Sequence, residues 1–117
     1  MIYRVEELLT ETGSCPYAEW FDSLDAQMAA KVTVAKVRMA AGNLSSIEWF
    51  RGIGEYKIDW GPGVRIYLAR DGERLIVLLG GGTKRVQQRD IDRAVKLWQE
   101  YQQRRNALLK TNDPKRK

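Results

Sequence analysis

Two alternating stretches in the middle of the chain constrain the fold more than any other feature. Apolar and polar side chains alternate through residues 55–60 and again through residues 64–68, which is the period of half-buried strands. Gly61-Pro62-Gly63 must turn the chain between them. Asp71-Gly72 predicts a second hairpin, which leads into the continuously apolar residues 75–79. The sequence therefore predicts a three-stranded antiparallel meander.

Two helices are predicted before this meander. Pro16 suits the first turn of a helix, and the apolar side chains after it fall on one stripe at helical spacing: Tyr17, Trp20, Phe21 and Leu24. Asp25 can cap the N-terminus of a second helix, which Gly42 ends. Because the two helices follow each other directly, we expect them to form a helical hairpin.

The two ends of the chain complete the predicted order of elements. Residues 2–9 favour a strand, and Gly80-Gly81-Gly82 is expected to end the sheet before a last helix from Asp90 to about residue 107. The resulting order is βααβββα. We expect an α+β protein in which the helical hairpin packs on one face of an antiparallel sheet and the other face is at least partly open.

Length and composition limit the organisation of the chain. At 117 residues it forms one domain, which we place at residues 1–109, followed by a basic disordered tail at residues 110–117. The single cysteine, Cys15, excludes an intramolecular disulfide and a thiolate-rich metal site. No stretch has the length and apolar character of a signal peptide or a membrane span, so we expect a cytoplasmic location and no membrane contact.

The charge and the missing histidine restrict the chemistry. Twenty Lys and Arg against fifteen Asp and Glu give a net charge of +5, which attracts polyanions such as nucleic acids. A solvated basic surface is the alternative explanation. Because the chain has no histidine, Ser–His–Asp and Cys–His catalysis and histidine-based zinc sites are excluded. We expect no metal and no cofactor, so acid–base work must fall to other side chains or to the substrate.

The meander is expected to gather basic side chains on one sheet face. If Gly61-Pro62-Gly63 is a three-residue loop, Asp59 pairs with Arg65, and Lys57 pairs with Tyr67. Two cations and a phenol on rigid strands would suit a phosphodiester. The alternative is a cross-strand ion pair of little energetic consequence beside an ordinarily packed tyrosine.

The third strand of the meander extends this surface. Pairing across the second hairpin is expected to place Leu78 beside Arg65 and Ile76 beside Tyr67, which would give the polar patch an apolar floor. Two further cations leave the glycine-rich turn after this strand: Lys84 and Arg85.

A family resemblance rests on two short strings at a fixed spacing. In the first, Gly61-Pro62-Gly63 is followed by Arg65 and Tyr67. In the second, Gly81-Gly82 is followed by Lys84, Gln87 and Asp90-Ile91. Together with Leu24-Asp25 and Gly42-Asn43, these strings resemble the addiction-module killer proteins of the RelE/ParE toxin superfamily, near its HigB-like branch. The resemblance covers about residues 1–107.

That resemblance implies the toxin of a type II toxin–antitoxin system. Its partner would be a cognate antitoxin, commonly of the helix-turn-helix type, and operator DNA would be bound only through that antitoxin. RelE-like toxins enter the ribosome and cut mRNA without a metal, by attack of a ribose 2′-hydroxyl that leaves a 2′,3′-cyclic phosphate. The resemblance thus implies a ribosome-dependent mRNA endoribonuclease that inhibits translation.

The resemblance also implies which residues carry the reaction. Arg65 matches the arginine that stabilises the transition state, and Lys57 matches a catalytic lysine. Asp59 stands where the family has a second lysine, and Ile91 stands where it has a tyrosine. Two substitutes are open: Tyr67 as the phenol, or Asp59 as a base beside Lys57, which only burial would make strong enough. The remaining matches are Arg85 with Lys84 as catalytic positions, and Arg51, Gln88 and Arg89 as RNA-binding positions.

Two other functions remain open from the sequence. The superfamily also contains ParE-like inhibitors of DNA gyrase, which need no nuclease site. The departures at Asp59 and Ile91 favour a third function, that of a non-catalytic domain that binds RNA or an antitoxin.

Overall fold

The structure, a computed structural model, describes residues 2–111 of the chain. It is an α+β protein with a five-stranded sheet and a C-terminal helix. The elements are β1 (Arg4–Glu7), α1 (Pro16–Asp22), α2 (Ala26–Ala40), β2 (Ile47–Phe50), β3 (Ile53–Ile58), β4 (Val64–Asp71), β5 (Leu75–Thr83) and α3 (Gln87–Thr111), with a 3₁₀ turn at Lys84–Val86. The fold class and the meander of β3, β4 and β5 are therefore confirmed.

The sheet has one strand more than the sequence predicts. Its order is β1-β5-β4-β3-β2, and all neighbours are antiparallel except β1 and β5. The additional strand β2 joins β3 through Arg51-Gly52, where both residues have positive φ angles of 52° and 82°. Two left-handed residues form the tight hairpin turn whose twist matches that of paired strands. The sequence did not indicate this turn, because Arg51 stands at a position where such turns usually have Asn, Asp or Gly.

Helices pack on both faces of the sheet, so the face that was expected to be at least partly open is largely covered by α3. The helices α1 and α2 pack on one face, where Val32 and Met39 of α2 belong to the same buried apolar cluster as Ile66 of β4 and Leu78 of β5. The long helix α3 packs on the other face through an apolar stripe: Ile91, Ala94, Val95 and Trp98. This stripe buries the opposite set of strand side chains, since successive residues of a strand point to opposite faces.

The sequence predicted that the sheet ends at Gly80-Gly81-Gly82. The strand β5 instead continues through these glycines to Thr83. The three glycines pair with Tyr67, Ile66 and Arg65 of β4. A Cβ at Gly81 would overlap the ring of Trp20, and a Cβ at Gly82 would overlap the carboxylate of Asp90. The glycines therefore allow α1 and α3 to approach the sheet closely, one on each face.

Replacing Gly81 with alanine is expected to destabilise the protein by about 1–3 kcal/mol, because the new methyl group must displace the Trp20 ring. Urea-induced unfolding measures this loss. Combining Gly81→Ala with Trp20→Leu should cost less than the sum of the single changes, since the shorter side chain leaves room for the methyl group. Strictly additive losses would show that the two positions do not touch.

The C-terminal helix is longer than predicted and includes Lys110 and Thr111. The rest of the predicted basic tail, residues 112–117, lies outside the described residues. Among residues 2–111, no helix combines the length and the apolar character needed to cross a membrane.

Candidate functional site

The centre of the candidate site is a cross-strand pair of cations. Lys57 of β3 lies directly opposite Arg65 of β4. The predicted pairs of Arg65 with Asp59 and of Lys57 with Tyr67 are wrong, because the turn between the strands spans residues 59–63 rather than three residues. The register differs from the predicted one by two residues, and side chains alternate with a period of two. Lys57, Arg65 and Tyr67 therefore still share one face, as predicted.

The predicted apolar floor under this pair is absent. Leu78 pairs with Leu68, and the partners of Arg65 and Tyr67 on β5 are Gly82 and Gly80. An irregularity between Tyr67 and Leu68 shifts the pairing by one residue. The hairpin that joins β4 to β5 closes with Asp71 opposite Leu75 rather than with Arg70 opposite Glu73. Such a shift moves Leu78 to the other face, where it packs against α1 and α2.

Arg65 forms a buried ion pair with Glu55. Its Nε donates to Oε1 of Glu55 at 2.6 Å, and the two side chains are only 9% and 2% exposed. Gln87, the first residue of α3, donates its amide to both Glu55 oxygens at 3.0 and 3.2 Å. The buried carboxylate therefore has several hydrogen bonds and a charged partner, which is what allows a charge to stay inside a protein.

NH1 of the Arg65 guanidinium lies close to the turn that precedes β4. A Cβ placed on Gly63, in the turn before β4, would be 3.6 Å from NH1 of Arg65 and 3.9 Å from Cβ of Lys84. The backbone N–H of Lys84 also donates to the carbonyl of Gly63 at 3.3 Å. Lys84 and the neighbouring Arg85 are exposed. The turn thus brings the predicted basic position after β5 next to Arg65.

Lys57 is the exposed member of the cross-strand pair. Its Nζ lies 3.6 Å from Oε2 of Glu48 on the edge strand β2, and the two side chains are 54% and 66% exposed. An ion pair this exposed contributes little to stability and is easily exchanged for another partner. The ammonium of Lys57 is therefore available to an incoming anion.

Tyr67 lies in the core rather than at the surface. It is 1% exposed, and burial, together with Glu55 and Asp90, raises the pKa of its phenol well above the usual value. Its hydroxyl and Oδ2 of Asp90 are buried without a hydrogen-bond partner, and both residues line a cavity of about 30 Å³. That volume is large enough for one water molecule. A phenol placed in this way cannot reach a substrate, so we leave Tyr67 out of the proposed catalytic groups.

Asp90 is the acidic residue of this cavity. Burial raises the pKa of its carboxyl above the usual value, against the opposing charges of Arg89 and Arg93. Ile91, which the resemblance places at the family's tyrosine position, is 7% exposed and belongs to the core under α3. A buried apolar side chain therefore occupies that position. Asp59, which the resemblance places at the family's second lysine, is exposed in the turn before β4.

Two of the three predicted RNA-binding residues, Arg51 and Gln88, meet at the exposed carboxylate of Asp92. Arg51 and Gln88 both donate to Oδ1 of Asp92, at 2.8 and 3.0 Å. These hydrogen bonds, that from Arg51 first, hold the pKa of Asp92 below its usual value. The β2–β3 turn is thereby joined to α3, whereas Arg89 is exposed. Within residues 2–111, no group of three or more Cys, Asp and Glu side chains is placed to hold a metal ion.

A comparison with known proteins finds one clear relative. The chain is 36% identical over 86 residues to an uncharacterized protein of Haemophilus influenzae, and the match covers 72% of this chain and 87% of that protein. The chain belongs to the family of that protein. No family model matches the chain. No solved structure matches it.

Two polar residues of the site escaped the sequence analysis. Glu55 looked like one of the solvated residues of an alternating strand, although it shares a face with Lys57 and Arg65. Gln87 was part of the string that carries the resemblance, but only the fold brings α3 over β3. The position of Glu55 two residues before Lys57, on the same strand face as the predicted basic residues, is the signal that could have identified it.

Proposed function

We propose that this chain is the toxin of a type II toxin–antitoxin pair and a ribosome-dependent mRNA endoribonuclease of the RelE/ParE superfamily. The observation that carries the proposal is the placement of Lys57 directly opposite Arg65, with Lys84 beside the same turn. The element order supports it, because a helical hairpin followed by an antiparallel meander and a helix is what the family resemblance implies. The additional strand β2 extends this arrangement at one edge of the sheet.

The proposed reaction makes small demands on the protein. The 2′-hydroxyl oxygen of the mRNA attacks the adjacent phosphorus, and the bond from phosphorus to the 5′ oxygen breaks. The products are a 2′,3′-cyclic phosphate and a 5′-hydroxyl. The proton of the 2′-hydroxyl passes to water or to a group of the ribosome, and the departing 5′ oxygen takes a proton from the ammonium of Lys57.

The basic residues supply the electrostatic part of catalysis. Negative charge accumulates on the phosphoryl oxygens in the transition state, and preorganised cations stabilise such charge strongly. Arg65 is held in place by its buried partner Glu55, while Lys57, Lys84 and Arg85 are exposed. We assign Arg51, Gln88 and Arg89 to the binding of RNA beyond the cleaved bond.

The remaining partners follow from the same resemblance. A cognate antitoxin with a helix-turn-helix domain would neutralise the chain and would connect it to operator DNA. The target would be mRNA on the ribosome, and the chain would therefore act in the cytoplasm.

Replacing Lys57 with alanine tests the nuclease directly. We expect mRNA cleavage in a translating extract, followed by primer extension, to fall about 100-fold, since a proton donor and a cation are lost together. Stability should hardly change, because the side chain is 54% exposed. Lys110→Ala at the far end of α3 is the matched control and should cleave like the wild type. Undiminished cleavage by Lys57→Ala would remove this residue from the mechanism.

A further inference from the structure

We infer that Glu55 and Gln87 are positioning residues that hold Arg65 by one edge and direct its other edge at the phosphate. This inference rests on the proposed function. Glu55 is 2% exposed, so it cannot touch an RNA substrate. Its effect on the reaction must therefore pass through Arg65, whose Nε lies 2.6 Å from it.

The geometry assigns different tasks to the two edges of the guanidinium. The Nε edge is occupied by the buried carboxylate, while NH1 lies towards the turn at Gly63. Arginine presents several donors in a rigid planar fork, so one edge can bind a carboxylate while the other binds a phosphate. Gly63 carries no side chain that would cover NH1, and its φ angle of 76° suits glycine.

Gln87 makes the arrangement depend on α3. Its amide bonds both oxygens of Glu55 and thereby sets the plane of the carboxylate that Arg65 must meet. Because Gln87 is the first residue of α3, the start of that helix fixes Arg65 through Glu55. An arginine oriented before the substrate arrives loses less conformational freedom on binding, which favours the transition state.

The expected result is a split between rate and binding. Glu55→Gln keeps the shape and one acceptor oxygen but loosens the hold on Nε, so the single-turnover cleavage rate on programmed ribosomes should fall about 10- to 100-fold. Binding to the ribosome should not weaken, because a negative charge near the RNA has been removed. Glu100→Gln, which removes an exposed carboxylate of α3, is the matched control and should leave both quantities unchanged.

A double-mutant cycle separates positioning from general structural damage. Lysine has no planar fork whose second edge Glu55 could direct, so Glu55→Gln should have little further effect on the cleavage rate in an Arg65→Lys background. Equal cleavage rates for the wild type and Glu55→Gln, or fully additive losses in the cycle, would overturn the inference even if the nuclease itself is established.

A nuclear magnetic resonance measurement tests the held arginine without any activity. The Nε–H of Arg65 should exchange with solvent much more slowly than that of the exposed Arg74, and Gln87→Ala should speed this exchange. Rapid Nε–H exchange in the wild type would overturn the inference whatever the RNA assays give. Slow exchange in a protein that cuts no mRNA would instead refute the proposed function and leave the ordered arginine in place.

Discussion

Replacing Arg65 with alanine should lower the free energy of unfolding by about 3–5 kcal/mol, because the substitution leaves the carboxylate of Glu55 buried without its charged partner. Removing one member of a buried pair costs far more than removing an exposed ion pair. The sequence suggested the opposite result, since Arg65 was expected to lie on an open face. Urea-induced unfolding, followed by tryptophan fluorescence, measures the loss.

A double substitution shows whether the loss comes from the orphaned carboxylate. In Glu55→Leu/Arg65→Met both charges are gone, and apolar side chains of similar length take their place. Most of the stability should return, as is often found when a buried pair is replaced as a unit. Cleavage of mRNA should nevertheless remain absent, because the guanidinium is missing. A loss below about 1 kcal/mol for Arg65→Ala would instead mean that water reaches Glu55 and solvates it.

The buried Arg65–Glu55 pair also affects the activity of variants at Arg65. A stability loss of this size is a large share of the total for a domain, so Arg65→Ala can fail to cleave RNA because it is partly unfolded. Arg65→Lys keeps a charge beside Glu55 and is the variant that isolates the role of the guanidinium.

The strands and helices could be predicted from the sequence where one face of an element is buried. Alternation located β3 and β4 to within two or three residues, and the Asp25 cap of α2 is present, with its carboxylate accepting from the Met28 backbone at 2.8 Å. The strand β2 was missed because its turn to β3 has Arg51 where such a turn usually has Asn, Asp or Gly, so the sequence contains no hairpin signal there. Its neighbours in space, rather than its own pattern, make it a strand.

The sequence predicted that Lys57 and Arg65 lie together. It missed Glu55 and Gln87 and did not show that Tyr67 is buried. Face alternation placed Lys57 and Arg65 together, and a register shift of two residues left that result intact. The sequence could not show that α3 covers the same face, since that depends on how a distant helix packs. The packing of α3 on this face explains the burial of Arg65, its bond to Glu55 and the removal of Tyr67 from solvent.

The second large effect concerns the ribosome: purified protein should cleave free RNA about 1,000-fold more slowly than the same mRNA on programmed ribosomes. The chain has no histidine, and its buried phenol at Tyr67 is out of reach of a substrate. The cations of the site can stabilise charge, but they provide no base for the 2′-hydroxyl at neutral pH. Alignment of the mRNA and removal of that proton must then come from elsewhere.

One preparation can decide between this mechanism and its main rival. The RNA arm compares free and ribosome-bound mRNA by primer extension, with Arg85→Ala as the variant that weakens the site without touching the buried Arg65 pair. The DNA arm contains only gyrase, supercoiled plasmid and ATP. A ribosome-dependent nuclease cuts the bound mRNA and leaves the plasmid supercoiled, whereas a gyrase poison traps cleaved plasmid and leaves mRNA intact. Equal cleavage of free and bound mRNA would mean that the protein supplies its own base, and the exposed Asp59, two residues after Lys57, is then the residue to replace first.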